Sequence, residues 1–306
     1  MYDGILNVYK EKGYTSHDVV AKLRGILGQK RIGHTGTLDP DAQGVLPVCL
    51  GKATRLCDML TDKTKIYRAV VLLGKETDTQ DLSGQVLQEK DVEATREEAV
   101  RAVLSFVGEY DQIPPMYSAL KVNGKKLYEL ARQGKVVERE ARKVVIHEIV
   151  IESVELPRIT MSVHCSKGTY IRTLCHDIGR KLGCGGCMES LVRTRSGQFC
   201  LEESLTLSQI ERLCDQGGLT QRITSIEDMF QGCPVLSTRP DSDRLVHNGN
   251  PLKAQELDLG EGEDIRKGSG EYLHYRVRDS KGRFMGIYEW EQERARLKPW
   301  KMFLEG

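Results

Sequence analysis

The sequence predicts an α+β fold: a mixed, largely antiparallel sheet flanked by helices, with a small β domain appended near residue 237. Three observations lead there. Strand-like alternation and helix-like spacing interleave along the chain without the regular rhythm of a parallel, doubly wound sheet. Residues 144–154 and Arg158–Cys165 are two alternating apolar runs around a short turn, which reads as a β-hairpin. The 306 residues suggest two domains at roughly 150 residues each, enough to bury a core without staples.

Gly4–Lys10 alternates as the first strand. Gly13-Tyr14-Thr15-Ser16 then leads into a helix, with Ser16 as its N-cap, Asp18 favourable in its first turn and Gly28 at its end. Residues 30–34 form a short strand, 35–44 a loop rich in Gly, Asp and Pro, and 45–50 a further apolar run, followed by helical spacing over 53–60. Lys65–Leu73 is the clearest strand of the N-terminal half, and helical spacing returns over 94–106 and 170–182. In the last seventy or so residues, short strand-like runs at 271–277 and 284–290 follow an acidic, glycine-rich stretch at 259–264. The domains are accordingly set at 1–236 and 237–306.

Composition narrows the class. With 39% hydrophobic and 29% charged residues and a mean hydropathy of −0.41, the chain is too apolar for disorder and too polar for a membrane protein. Its longest apolar runs fall far short of the ~18 residues that a spanning helix needs. The start, Met1-Tyr2-Asp3-Gly4-Ile5, shows neither a secretion signal nor an organellar presequence, and a cytoplasmic location is expected. Nine scattered cysteines fit reduced thiols, and a Gly-Gly turn explains the Cys184 to Cys187 spacing without a metal. The net charge of +1 hides an asymmetry. Residues 1–75 carry 12 Lys/Arg against 7 Asp/Glu and residues 119–200 carry 15 against 8, whereas 76–118 carry 3 against 10 and 201–306 carry 15 against 19. A basic surface on a neutral protein is what phosphate contact requires, because affinity comes from local counterion release.

Four clusters stand out. Gly33-His34-Thr35-Gly36-Thr37-Leu38-Asp39-Pro40-Asp41-Ala42-Gln43-Gly44 is either a turn with glycines at positive φ or a site. The others are Lys65-Ile66-Tyr67-Arg68, the run from Ile113 to Lys121, and Ser166-Lys167-Gly168-Thr169-Tyr170-Ile171-Arg172. Each alone has a bland reading as packing or surface. No P-loop or dinucleotide fingerprint is present, so ATP and NAD chemistry have no anchor.

In this order, however, GHTGTLDPDAQGVL, KIYRAVVLLG with ETDTQDLSG, QIPPMYSALKVNGKKLYELAR, SKGTYIRTLCHDIG and LVRTRSGQF resemble the bacterial tRNA pseudouridine-55 synthases of the TruB type, over roughly residues 4–200. The resemblance implies a pseudouridine synthase fold with a PUA-like C-terminal β domain. It implies isomerisation of a uridine in the T-arm of tRNA without a cofactor. A monomer with no metal and no need of a protein partner or membrane is the default expectation, the oligomeric state being open. Asp39 matches the catalytic aspartate, Arg172 its arginine partner, and Tyr67 the tyrosine stacked on the target base. His34 looks like the residue that fills the space left by the flipped base, and Tyr170 and Leu191 like residues lining its pocket. Lys10 and Lys121 join the substrate-binding set; Lys10 alone survives of the Asp-Lys-Pro that usually ends the first strand, here Tyr9-Lys10-Glu11. Physically, breaking a glycosidic bond without a metal needs an ionised carboxylate, and a neighbouring guanidinium lowers a carboxyl pKa by about 1–3 units. Asp41 is expected to be structural. Basic residues from Lys121 to Lys143 are the expected phosphate contacts. The alternative reading is a tRNA-binding and folding factor at the tRNA elbow; a nucleosidase is disfavoured by the lack of a second acid.

Overall fold

The computed structural model describes residues 1–122, 124–259 and 273–304. In chain order its elements begin β1 (Gly4–Lys10), α1 (Ser16–Leu27), β2 (Ile32–His34), β3 (Gln43–Leu50), α2 (Cys57–Thr61), β4 (Lys65–Leu73), β5 (Lys75–Thr77), β6 (Val86–Glu89), α3 (Arg96–Leu104) and β7 (Gly108–Gln112). There follow β8 (Lys121–Val122), β9 (Lys125–Lys126), α4 (Leu127–Arg132), β10 (Arg142–Glu155), β11 (Arg158–Cys165), α5 (Ile171–Lys181), β12 (Gly186–Ser196), β13 (Phe199–Cys200), α6 (Leu207–Asp215) and β14 (Ile223–Thr224). The C-terminal elements are β15 (Val235–Ser237), α7 (Asp243–His247), β16 (Leu252–Lys253), β17 (His274–Arg278), β18 (Phe284–Glu291) and β19 (Arg296–Met302).

A ten-stranded sheet runs β14-β1-β3-β12-β4-β11-β10-β7, with β13 on β12 and β2 on β3. Its pairings are antiparallel except where β12 meets β3, at Val192 opposite Gln43 and Arg193 opposite Gly44. The expected mixed, largely antiparallel sheet is therefore what forms. A second sheet, β15-β17-β18-β19-β16, builds the C-terminal β domain. Its Ile287 and Phe303 pack into the cluster of Ile5, Phe199 and Phe230, so the two sheets share apolar contacts. The acidic stretch at 260–264 lies outside the described residues.

Two local readings are corrected. The N-cap of α1 is Thr15, whose hydroxyl accepts from the Asp18 amide while the Asp18 carboxylate accepts from the Thr15 amide, a reciprocal capping box. Ser16 is buried instead, and its hydroxyl accepts from the Leu38 amide at 2.9 Å. The run at 53–60 is not one helix: a 3₁₀ segment, Gly51–Leu56, precedes the short α2. The Lys65–Leu73 strand alternates as expected, placing Tyr67, Ala69 and Val71 in the main core with Leu174 and Ile178 of α5. All nine cysteines are free thiols.

Candidate active site

The loop between β2 and β3 carries Asp39 and is held from several sides. Lys10 at the end of β1 is fully buried, and its ammonium donates to the carbonyls of Pro40 at 3.0 Å and Ala42 at 2.6 Å. Burial pulls its pKa down to about 8, against the upward pull of the Asp39 and Asp41 charges. The Ser16 hydroxyl holds Leu38, the Thr35 hydroxyl donates to the Pro47 carbonyl, and the Gly13 amide donates to Pro40. At the far end Gly44 has φ +105°, and a Cβ there would sit 2.2 Å from the Arg193 carbonyl oxygen. The parallel contact between β3 and β12 thus requires glycine.

Asp39 meets Arg172, the second residue of α5. The carboxylate accepts from Nε at 2.9 Å and from the guanidinium again at 3.2 Å, the two-pronged geometry that fixes a carboxylate in orientation as well as position. Arg172 is 5% exposed, whereas the Asp39 side chain keeps 38% of its surface open, so the acid faces outward from a buried cation. Arg172 also donates to the carbonyls of Thr79 at 3.0 Å and Tyr117 at 2.8 Å, and lies 3.7 Å from the Asp81 carboxylate. One side chain thereby joins four segments. Burial moves the Asp39 pKa above its ordinary value. Arg172 opposes that shift, as expected of a guanidinium, but does not outweigh it, and the Asp81 charge adds to the rise.

Beside the acid, Tyr67 stands at the centre of β4, 9% exposed, in one cluster with Leu38, Ile171 and Leu191. Burial raises its pKa, and the Arg193 charge opposes this. Tyr170 caps α5; its amide donates to the Gln112 side chain at 2.8 Å, and burial raises its hydroxyl pKa. His34 ends β2 edge-on to His17, with ring centroids 5.1 Å apart. Burial first, then the charges of His17 and Arg193, push its pKa down to about 4, so it is neutral at physiological pH, and its Nδ1 has no partner.

The structure thus gathers Asp39, Arg172, Tyr67, Tyr170 and Leu191, with His34 at the start of the same loop. Lys10 is committed to loop carbonyls and has no surface of its own. Lys121 is exposed on the β8–β9 hairpin, outside the cluster, and Asp41 is exposed. Two residues that sequence reasoning missed belong here: Asp81, and Arg193, which donates to the Val45 and Gly36 carbonyls. Asp81 stood within the quoted ETDTQDLSG run, but the acidic excess of 76–118 hid it as bulk charge. Its carboxylate accepts from the Thr79 hydroxyl at 2.6 Å and the Ser83 amide at 3.0 Å, which aims the other oxygen at Arg172. Because Asp81 raises the Asp39 pKa, Asp81→Asn is expected to move the acid limb of the pH–rate profile to lower pH. Turnover at the optimum should fall on the order of tenfold, equivalent to about 1.4 kcal/mol; an acid limb displaced upward would refute this placement of the charge.

Among the described residues, Asp243, His247 and Asp279 are grouped as metal ligands could be. They lie in the C-terminal domain, where the Arg283 guanidinium already donates to Asp279 at 2.7 Å and stands 3.3 Å from His247. That cation balances Asp279, while the Asp243 carboxylate accepts from the Thr238 and Ser280 hydroxyls at 2.6 Å.

The TruB family pseudouridylate synthase N-terminal domain matches residues 24–171, and the tRNA pseudouridylate synthase B C-terminal domain matches 172–231. The chain belongs to the TruB family of pseudouridylate synthases, and so to the enzymes that isomerise uridine to pseudouridine. The tRNA pseudouridine synthase B of Lachnoclostridium phytofermentans is 52% identical over 99% of this chain and 100% of its own length. The Clostridium perfringens protein of the same name is 44% identical over 92% of this chain and 96% of its own. Among solved structures, a Cbf5-Nop10-Gar1 complex superposes with a TM-score of 0.70 at 26% identity, covering 98% of this chain and 85% of its counterpart. An H/ACA RNP bound to a substrate RNA containing 2'-deoxyuridine shares the fold at 24% identity and a TM-score of 0.69, covering 99% and 85%.

Proposed function

We propose that the protein converts uridine 55, in the T-arm of tRNA, to pseudouridine without a cofactor, with Asp39 as nucleophile. The observation that carries this reading is the Asp39 carboxylate, open on one side and gripped in two places by the buried Arg172, next to Tyr67. In the proposed reaction the target uridine flips out of its loop, at a cost of a few kcal/mol. Asp39 attacks, and the bond from N1 to C1′ breaks. The base turns to present C5, the C5 to C1′ bond forms, the bond to Asp39 breaks and returns the free carboxylate, C5 gives up its hydrogen as a proton and N1 gains one. Nothing is oxidised or reduced, so the isomerisation balances without a redox partner. Neutral His34 takes up the space that the flipped base vacates and brings no charge to it.

The basic hairpin supplies phosphate contacts. Lys121, Lys125 and Lys126 sit on it, the first two exposed, and Lys126 and Arg132 flank the Tyr128 ring, each 5.4 Å from its centroid. We assign catalysis to residues 1–236 and an accessory role to 237–306, acting as a monomer on free tRNA in the cytoplasm.

Tritium release from a tRNA transcript labelled at C5 of uridine tests the reading, since release requires that C5 lose its hydrogen. Release at the T-loop position is expected. Tight tRNA binding without release would instead favour the folding-factor alternative. In the same assay, Tyr67→Phe keeps the ring and removes the hydroxyl. Turnover is expected to fall by about 10²–10⁴-fold with tRNA affinity retained, the range for losing a proton-transfer group; near-normal turnover would reduce Tyr67 to a stacking platform.

A further inference from the structure

We infer that Arg193 is a positioning residue that locks the Asp39 loop to the strand carrying Tyr67; this rests on the function proposed above. Arg193 is 1% exposed and heads the fully buried side chains by volume. Removing a guanidinium from water is costly, and the cost is normally offset by a carboxylate. Arg172 has two such partners, Asp39 and Asp81. Arg193 has none among the described residues, and its bonds go to main-chain carbonyls: Nε donates to Val45 at 2.7 Å and a terminal nitrogen to Gly36 at 3.2 Å.

Those carbonyls lie on either side of Asp39, one at each end of its loop. The register sets the other half of the argument. Arg193 pairs directly across from Tyr67 between β12 and β4, and residues directly opposite in antiparallel strands project from the same face. On its other edge Arg193 pairs with Gly44, where the loop rejoins β3. A single side chain therefore touches both ends of the segment bearing the acid and neighbours the ring expected to stack on the base. Its charge also acts on Lys10 and His34, two further groups around the loop. A planar fork can serve two divergent carbonyls at once; a lysine ammonium, on a longer flexible stem, cannot hold the same geometry.

The test compares wild type with Arg193→Lys and Arg193→Gln, using single-turnover tritium release, tRNA affinity and thermal unfolding. Both variants are expected to bind tRNA like wild type and to release tritium on the order of 100-fold more slowly, as a displacement of about 1 Å in a reacting group produces. The lysine variant should not be rescued by its charge. A folded variant with the wild-type rate, or a loss accounted for entirely by weaker tRNA binding, overturns the inference. Should the glutamine variant fail to fold, the lysine variant carries the test. Amide hydrogen exchange over residues 35–45 reads the clamp without any reaction: faster exchange is expected in the variants, and unchanged protection overturns it. Absence of tritium release from the wild type would count against the proposed function alone, leaving the exchange result to decide the role of Arg193.

Discussion

Asp39→Asn is expected to abolish pseudouridine formation while leaving tRNA binding intact. The asparagine amide is nearly isosteric with the carboxylate, so the loop, fastened by Lys10, Ser16 and Thr35 rather than by Asp39, stays in place. What disappears is the anionic oxygen. Loss of a covalent nucleophile costs at least about 10⁴-fold in rate, so tritium release should fall to background. Filter binding at fixed ionic strength should give the wild-type affinity, because phosphate contacts dominate it and none is assigned to Asp39. The stability effect has a definite sign. Burial raises the pKa of Asp39 in the folded protein, so its ionised form is favoured less there than in the unfolded chain. That relative stability is fully present below the unfolded pKa, near 3.9, and is lost as pH rises through the folded value. A neutral asparagine escapes that loss but sets an amide donor where one carboxylate oxygen accepted from Arg172, so the variant's unfolding temperature should vary less with pH over this range than that of wild type. Residual turnover within tenfold of wild type would remove Asp39 from the nucleophile role.

How much of this was legible in the sequence depended on periodicity. β1 is buried on both faces and shows as a short apolar run, whereas β4 and β11 each bury one face, so their buried residues recur at every second position and declare the strands. The central strand β12 does not. Register shifts between Met188 and Ser190 and between Arg193 and Arg195 put its polar residues out of phase, and no strand is expected there from pattern alone. The role of Arg193 was hidden with it, since only the parallel contact of β12 with β3 brings that guanidinium to the loop. Strands of two or three residues, such as β15 and β16, are too short to show a period. At the site, Asp39, Tyr67 and Arg172 were recognisable as motif residues, but their convergence was not. Asp39 and Arg172 stand 133 positions apart, and the pairing is made by the sheet. Lys10 shows the converse limit: a lysine matched to a family motif reads as a substrate-binding residue until burial shows its charge turned inward.

Arg172 is the residue whose loss separates geometry from charge. It donates to Asp39, Thr79 and Tyr117 and lies beside Asp81, so Arg172→Met leaves two carboxylates facing one another across a site without its cation. Breaking such a pair is expected to destabilise the fold by about 3 kcal/mol, at the low end for buried ion pairs because Asp39 remains 38% exposed. Turnover should fall by about 10²–10³-fold, the scale for removing an electrostatic donor from an active site. Part of that loss depends on pH. Arg172 holds the Asp39 pKa down against burial and Asp81, so removing it raises the pKa further and moves the acid limb of the pH–rate profile upward. Raising the pH restores the ionised fraction but not the orientation that two hydrogen bonds impose. The methionine variant should therefore recover only in part at alkaline pH. Arg172→Lys should divide the effects the other way: its charge keeps the acid limb near wild type, while the rate stays low because an ammonium cannot hold Asp39 in two places and also reach Thr79 and Tyr117. A methionine variant with an unmoved acid limb would show that Arg172 acts by position alone, and a lysine variant with wild-type turnover would show that it acts by charge alone.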